Sequence, residues 1–373
     1  MLLTVFVDGF GFGMVIPFLP LYAHSLGASG FQVGLLLATY SLAQLVFAPL
    51  WGRLSDRIGR KPIIVIAAAA TSASFVVLGS ATTLPAVFVG RAILGSFGVG
   101  MSTAQAWVAD ATPEDERGRA MALIGASNAV GFTLGPALGA LGVLSGGLSA
   151  PFWFAAVCAG GNAILASIIL PKIAPRPRVV TTLRLHDLAS SRSFVICLLV
   201  SFVLTYAFSN VEATFALFTA DELAFTPTSN GLFFVYLGLA AATTQVLGTR
   251  WLATRMRDQG RVIVGLALLA IGAGTLPSVH GAAALFVPMA IMAAGFGVTS
   301  PSLAAWVSRS ANAERQGEAM GFAQSASAMA RVAGPGLGGL MYDRLGHGWP
   351  FWTAAILLAA TAGATLLATR GDA

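Results

Sequence analysis

Apolar positions along this chain of 373 residues come in long continuous runs rather than in alternation. Each run holds about twenty residues between short polar breaks, and twenty helical residues rise about 30 Å, the thickness of a bilayer's hydrocarbon core. Twelve helical spans are predicted, over 3–22, 31–50, 62–80, 85–109, 119–144, 151–170, 194–220, 229–250, 261–278, 283–309, 317–342 and 349–368. A barrel strand would be about ten residues long with strict alternation, so helices are the reading the pattern supports. The longest polar stretch, 171–193, is punctuated by Pro171, Lys172, Pro175, Arg176, Pro177 and Arg178. It reads as a linker between a six-helix half at 1–170 and another at 194–373.

Composition changes the picture by naming the solvent. The chain is 56% hydrophobic and 10% charged, with a mean hydropathy of +0.80, whereas a soluble protein carries about 25% charged residues. So little charge cannot cover a water-facing surface. Repeated spans also exclude a secreted chain with one removable signal, so the first segment is expected to stay. Cys158 and Cys197 fall inside apolar runs and read as packing residues, not as a disulfide or metal site. His24, His186, His280 and His347 fall in predicted loops without metal-ligand spacing. Neither a Gly-x-Ser-x-Gly elbow nor a nucleotide-binding loop occurs, which argues against an intramembrane enzyme and against ATP as the direct energy source. No cofactor and no metal is expected.

The net charge of +6 would suit nucleic acid if it were clustered on a soluble surface. Here it sorts by loop. With both termini cytoplasmic, Arg53, Arg57, Arg60, Lys61, Arg117, Arg119, the linker cations, Arg250, Arg255, Arg257, Arg261, Arg309, Arg315 and Arg370 lie inside, and Arg344 alone lies outside. The expected location is therefore the cytoplasmic membrane, crossed many times, with no nucleic-acid partner.

The halves repeat. A shift of 199 positions lays Phe97-Gly98-Val99 on Phe296-Gly297-Val298 and Ala106-Trp107-Val108 on Ala305-Trp306-Val307. The register continues without a gap through Gly118, Ala120 and Met121 to Gly135, Pro136 and Gly139, which fall on Gly334, Pro335 and Gly338. The fold class expected is therefore all-α integral membrane, twelve transmembrane helices in two pseudo-symmetric six-helix bundles, the architecture of a rocking secondary transporter.

Between spans two and three stands Gly52-Arg53-Leu54-Ser55-Asp56-Arg57-Ile58-Gly59-Arg60-Lys61. Gly52 permits close approach of a neighbouring helix, and Asp56 can answer free amides or positive charge at a helix start, with Arg57 and Arg60 as partners. A plain positive-inside anchor would explain the cations but not the acid or the two glycines. This segment resembles the signature loop of the major facilitator superfamily, and Tyr40, Gln44, Phe47, Ala48, Pro49, Arg60 and Pro62 are similar to tetracycline and multidrug exporters. The resemblance implies a conformational latch at Gly52, Asp56, Arg57, Gly59 and Arg60. The counterpart Arg250–Arg261 departs from it, with Thr254 where Asp56 would align.

Two further segments carry the resemblance. Arg91 through Leu94, Gly95, Gly98 and Gly100 is similar to the family's second motif, with Leu94 in place of a polar residue. It implies that Arg91 assists proton coupling; a fixed structural ion pair is the alternative for an arginine in so costly a place. Gly131, Gly135, Pro136 and Gly139 resemble the motif of the drug:proton antiporters and favour export over uptake. Their glycines also suit plain helix packing, with Gly334–Gly339 expected to do the same across the interface. Asp8, opening Asp8-Gly9-Phe10-Gly11-Phe12-Gly13, resembles the acid of tetracycline exporters that is important for transport. The His in span eight and Asp in span nine of those exporters have no match, which weighs against tetracycline itself.

At about 1.5 Å per residue, Asp8 lies roughly 7 Å from the inner face, Arg91 roughly 20 Å, Arg331 roughly 21 Å and Glu212 roughly 27 Å. A direct Asp8–Arg91 pair is not expected at those heights. Burial disfavours a charged carboxylate while a nearby cation favours it, and that competition lets a carrier take up and release protons. Asp8 and Glu212 are expected to titrate, modulated by Arg91; in the alternative, Glu212 bridges Arg331 permanently. Phe12, Gln44, Tyr206, Phe208, Asn210, Phe215 and Tyr236 are the expected lining of a cavity for an amphipathic substrate. The function expected is a monomeric, proton-coupled antiporter exporting small organic molecules. A metabolite or sugar carrier working by uptake or exchange is the alternative, with a receptor or channel less favoured by the repeat.

Overall fold

The computed structural model describes residues 1–171, 191–311 and 315–369. Most of the predicted linker 171–193, with Lys172, Arg176, Arg178 and His186, and Arg370 as well, lie outside the described residues. Fifteen α-helices and no strand occur among the described residues. In chain order they are α1 (Leu2–Val15), α2 (Leu19–Ser25), α3 (Gly30–Ile58), α4 (Arg60–Gly79), α5 (Leu84–Ser96), α6 (Gly100–Ala111), α7 (Glu114–Gly146) and α8 (Ala150–Ile169). There follow α9 (Arg192–Leu223), α10 (Pro227–Thr243), a π-helical turn (Thr244–Gly248) and α11 (Thr249–Ala253). The last four are α12 (Asp258–Thr275), α13 (Phe286–Arg309), α14 (Gln316–Leu345) and α15 (Trp349–Thr369).

Ten helical stretches among the described residues are long and apolar enough to cross a membrane, and α1 with α2, bent by 41° at their break, makes an eleventh. The bend falls at Pro17, whose ring removes a helical hydrogen bond. Helix α14 has the length of a span but carries Glu318, Arg331, Asp343 and Arg344. The apolar count thus accounts for the predicted spans, with polar cargo on the one that falls short.

The residues group into two compact units: Met1–Ala28, Leu36–Val179 and Phe225–Val235 in the first, and Ser29–Leu35, Val180–Ala224 and Tyr236–Ala373 in the second. In the first, α1 docks on α7 through glycine. A Cβ at Gly131, Gly135 or Gly139 would collide with Phe6, Met14 or Phe18 of the α1–α2 segment, and one at Gly13 with the backbone of Phe132. The second repeats this within itself: Gly334 and Gly338 of α14 abut Ser209 and Asn210 of α9. Lipid cannot drive apolar surfaces together, so such close backbone packing has to supply the attraction. The antiporter-type glycines therefore meet α1, and Gly334 and Gly338 meet α9, while the contact expected between the halves is made as well, by Gly339 against Gly30 and Pro335 against Gly34 at the start of α3 and by Pro136 against Gly231 of α10, each within one compact unit.

Helix ends are closed locally. Ser29 and Gln32 form a reciprocal capping box at the start of α3, with Ser29 N donating to Gln32 Oε1 at 2.9 Å and Gln32 N to Ser29 Oγ at 3.3 Å. The two amides between them, of Gly30 and Phe31, donate at 2.8 Å each to the two carboxylate oxygens of Asp343.

Candidate functional site

Span four is not one helix. Helix α5 stops at Ser96 and α6 starts at Gly100, and the glycines at 95, 98 and 100 leave a stretch without regular helical bonding at 97–99. A break inside hydrocarbon frees carbonyls that lipid cannot satisfy. Helix α3 supplies the donors: Trp51 Nε1 donates to Ser96 O at 2.6 Å, and Gln44 Nε2 to Gly98 O at 2.5 Å and to Tyr40 Oη at 3.2 Å. Gln44, expected to line a cavity, thus also holds the break open.

Asp8 of α1 sits on the other side of that break. Its Oδ1 accepts from Asn162 Nδ2 of α8 at 3.4 Å, and Asn162 also reaches Thr4 O at 3.4 Å. Its Oδ2 fills the space a Cβ at Gly100 would need, over the first turn of α6. A carboxylate there meets the positive end of a helix dipole and the unbonded amides of the first turn. Glycines beside Asp8 allow this, since Gly9 lies against Asn128 and Gly13 against Phe132.

Arg91 of α5 is 2% exposed. Its guanidinium lies 4.8 Å from the Tyr40 ring centroid, and its Nε reaches Leu36 O at 3.5 Å. The Tyr40 ring in turn stands 5.5 Å from Phe12, which lies 6.2 Å from Phe132. Arg91 thus lies on α5 before the break and Asp8 against α6 after it, with Tyr40 and Gln44 of α3 at the break and Phe12 against Tyr40.

In the second unit, α9, which carries Glu212, and α14, which carries Arg331, pack side by side through Gly334 and Gly338. Asn210 is fully buried, donating from Nδ2 to Pro350 O at 3.1 Å. Phe215 is fully buried and Tyr206 nearly so. Phe208 is exposed and stacks on Phe296 at 4.9 Å, and Tyr236 donates to Phe286 O at 3.1 Å. Of the predicted lining, Phe208 presents an open aromatic face here.

At the predicted latch, Gly59 has φ +96° and turns α3 into α4, a conformation few residues but glycine tolerate. Arg60 is the hub. Its Nη2 meets Asp56 at 2.6 Å, Nε meets Asp110 at 3.0 Å, and Nη1 donates to Ser55 Oγ at 2.9 Å. Two expectations need correcting. Arg57 is exposed and does not take part in that ion pairing among the described residues, because Arg60 one turn on faces both acids. Gly52 has open space where a Cβ would go, so no neighbour among the described residues approaches it closely. Asp110 was missed in the sequence, although the 199-residue register sets it opposite Arg309, a charged residue ending the equivalent helix. Asn162 gave no sequence signal of its own.

The model of the Major Facilitator Superfamily matches residues 1–335 and 197–372. The chain belongs to the major facilitator superfamily. Like other members it is a multi-pass membrane carrier of small molecules, not an enzyme. Tetracycline resistance protein, class E, of Escherichia coli is 29% identical across 94% of this chain and 89% of its own length. Multidrug resistance protein 2 of Bacillus subtilis (strain 168) is 28% identical across 98% of this chain and 94% of its own. Among solved structures, a bacterial homologue of the human lysosomal transporter Spinster, inward-facing and occupied, superposes with a TM-score of 0.80 at 15% identity, covering 99% of this chain and 96% of that one. That likeness carries the fold.

Proposed function

We propose that this superfamily member is a proton-coupled antiporter that exports small amphipathic organic molecules. It works as a monomer in the cytoplasmic membrane, with both termini inside and two six-helix bundles at 1–170 and 194–373 alternating access around a central site. The observation that carries the reading is the Asp8 carboxylate held between Asn162 and the first turn of α6 at the break in span four. A proton arriving there removes the charge that the helix start stabilises, so proton occupancy and the geometry of the break are linked. Phe12, Tyr40 and Gln44 beside it, and Phe208 on α9, offer aromatic and amide surface of the kind an amphipathic cation or zwitterion packs against. Glu212 is the second titrating acid, with Arg91 and Arg331 setting the local field. Drug resistance in the named relatives supports export, and the glycine motif of α7 agrees with it.

The test is transport in proteoliposomes with an imposed pH gradient. Asp8→Asn and Glu212→Gln should remain folded and lose proton-driven accumulation. Unchanged pH-driven transport in both variants would exclude the mechanism. Everted vesicles that accumulate substrate when the lumen is acidified support export, and the opposite sidedness supports uptake.

A further inference from the structure

The strongest feature outside this site is a cavity of about 640 Å³ in the second unit, where α11 turns into α12 beneath the end of α13. Among the described residues, Arg255, Arg257, Arg261 and Arg309 line it against a single carboxylate, Asp258. Asp258 is buried and already engaged by Arg261 and Arg309. Positive charge is therefore left over. Arg257 is exposed and has no ion-pair partner among the described residues, and the Nε of Arg261 is buried without a hydrogen-bond acceptor. Such a concave, undercompensated cluster is suited to an anion with several oxygens, above all a phosphate taken by two guanidiniums.

The surroundings indicate where that phosphate comes from. Leu239, Val246, Leu247 and Trp251 expose apolar surface along the helices leading to the cavity, at 57%, 66%, 64% and 59%. Only 11% of the apolar window in that span is buried, so most of its apolar surface is left open. The strip ends at Trp251, whose ring lies 4.1 Å from the Arg255 guanidinium. A tryptophan under an arginine at the end of an exposed apolar strip is the arrangement expected at headgroup depth, and basic pockets between helices at that depth receive anionic lipids. We infer that this cavity binds the phosphate headgroup of an anionic phospholipid, a role distinct from substrate transport. Placing it in the inner leaflet rests on the orientation proposed above.

The test is thermal unfolding of the detergent-purified full chain with added phosphatidylglycerol, phosphatidylcholine or soluble glycerol phosphate. Phosphatidylglycerol should raise the melting temperature and phosphatidylcholine should not. Arg255→Gln/Arg257→Gln, both at exposed positions, should lose about half or more of that shift, because the charges contribute comparably. A charge-matched control, Arg117→Gln/Arg119→Gln, should keep it. The inference is overturned if the double variant responds like the parent, if the control loses as much, or if glycerol phosphate protects as well as the lipid. Detergent solution is blind to sidedness, so failure here leaves the orientation standing, and loop labelling from either side tests orientation alone.

Discussion

Asp258 and Arg309 join the start of α12 to the end of α13 by an ion pair whose charge sense is the reverse of the Arg60–Asp110 pair joining α4 to α6. The two halves keep the tie and exchange its signs. In the second half the acid sits at a helix start, where the dipole favours it; in the first a cation sits there, where the dipole opposes it. Besides Asp110, a second acid, Asp56, compensates Arg60.

That arrangement predicts unequal costs. The side chains of Arg60 and Asp110 are both 3% exposed, whereas that of Asp56 is 51% exposed. Asp110→Asn, which leaves a buried guanidinium undercompensated, should lower unfolding stability by about 3 kcal/mol or more. Asp56→Asn should cost less than about 1 kcal/mol, as exposed pairs do. The reversed double variant Arg60→Asp/Asp110→Arg should recover most of the loss seen in Asp110→Arg. Chemical unfolding of purified protein measures all of these, and equal losses for Asp56→Asn and Asp110→Asn would refute the ranking.

Glycines of α7 should divide by what they face. Gly135 lies against the backbone of α1, while a Cβ at Gly125 meets nothing within 4 Å. Gly125→Ala removes a flexible helix-interior residue and should stabilise by up to about 1 kcal/mol. Gly135→Ala forces the two backbones apart and should destabilise by about 1–3 kcal/mol. Thermal unfolding of the pair separates packing from helix propensity.

The broken span makes a third contrast. Gln44→Leu keeps side-chain bulk but removes the donor to Gly98 O, and losing this part-buried hydrogen bond should cost about 0.5–1.5 kcal/mol. Gln44→Glu, with a protonated acid able to donate, should be tolerated better at low pH than at high pH. Unfolding measured across pH for the two variants checks this, since Gln44→Leu should show no such pH-dependent recovery.

The sequence made the helices legible because lipid imposes a length that polar breaks punctuate. It made the glycine seams of α7 and α14 legible through the repeat. What it could not show was pairing at a distance. Asp110 and Arg60 are 50 residues apart, and no periodicity links a span end to a loop cation. Asn162 lies in an apolar run, where an amide reads as neutral until Asp8 is found beside it. The break at 97–99 was hidden because glycines in a membrane helix signal close packing as readily as a stop. Arg57 and Arg60 looked equivalent by spacing, and the turn at Gly59 decided between them.

The start of α3 supplies the last prediction. Four successive amides, from Ser29 to Gln32, would be orphaned at this helix end, and side chains answer all four. Ser29 and Gln32 serve the outer two, and Asp343, 313 residues from Gly30, serves the inner two with one oxygen each. Asp343→Ala removes both inner acceptors and should cost about 1–2 kcal/mol of local stability. Asp343→Asn retains one carbonyl oxygen and should fall between the parent and the alanine variant. Hydrogen exchange followed by mass spectrometry reads the effect directly, because Gly30 and Phe31 should exchange faster in the order alanine, asparagine, aspartate. If residues 29–35 exchange at one rate in all three proteins, Asp343 does not hold this helix end.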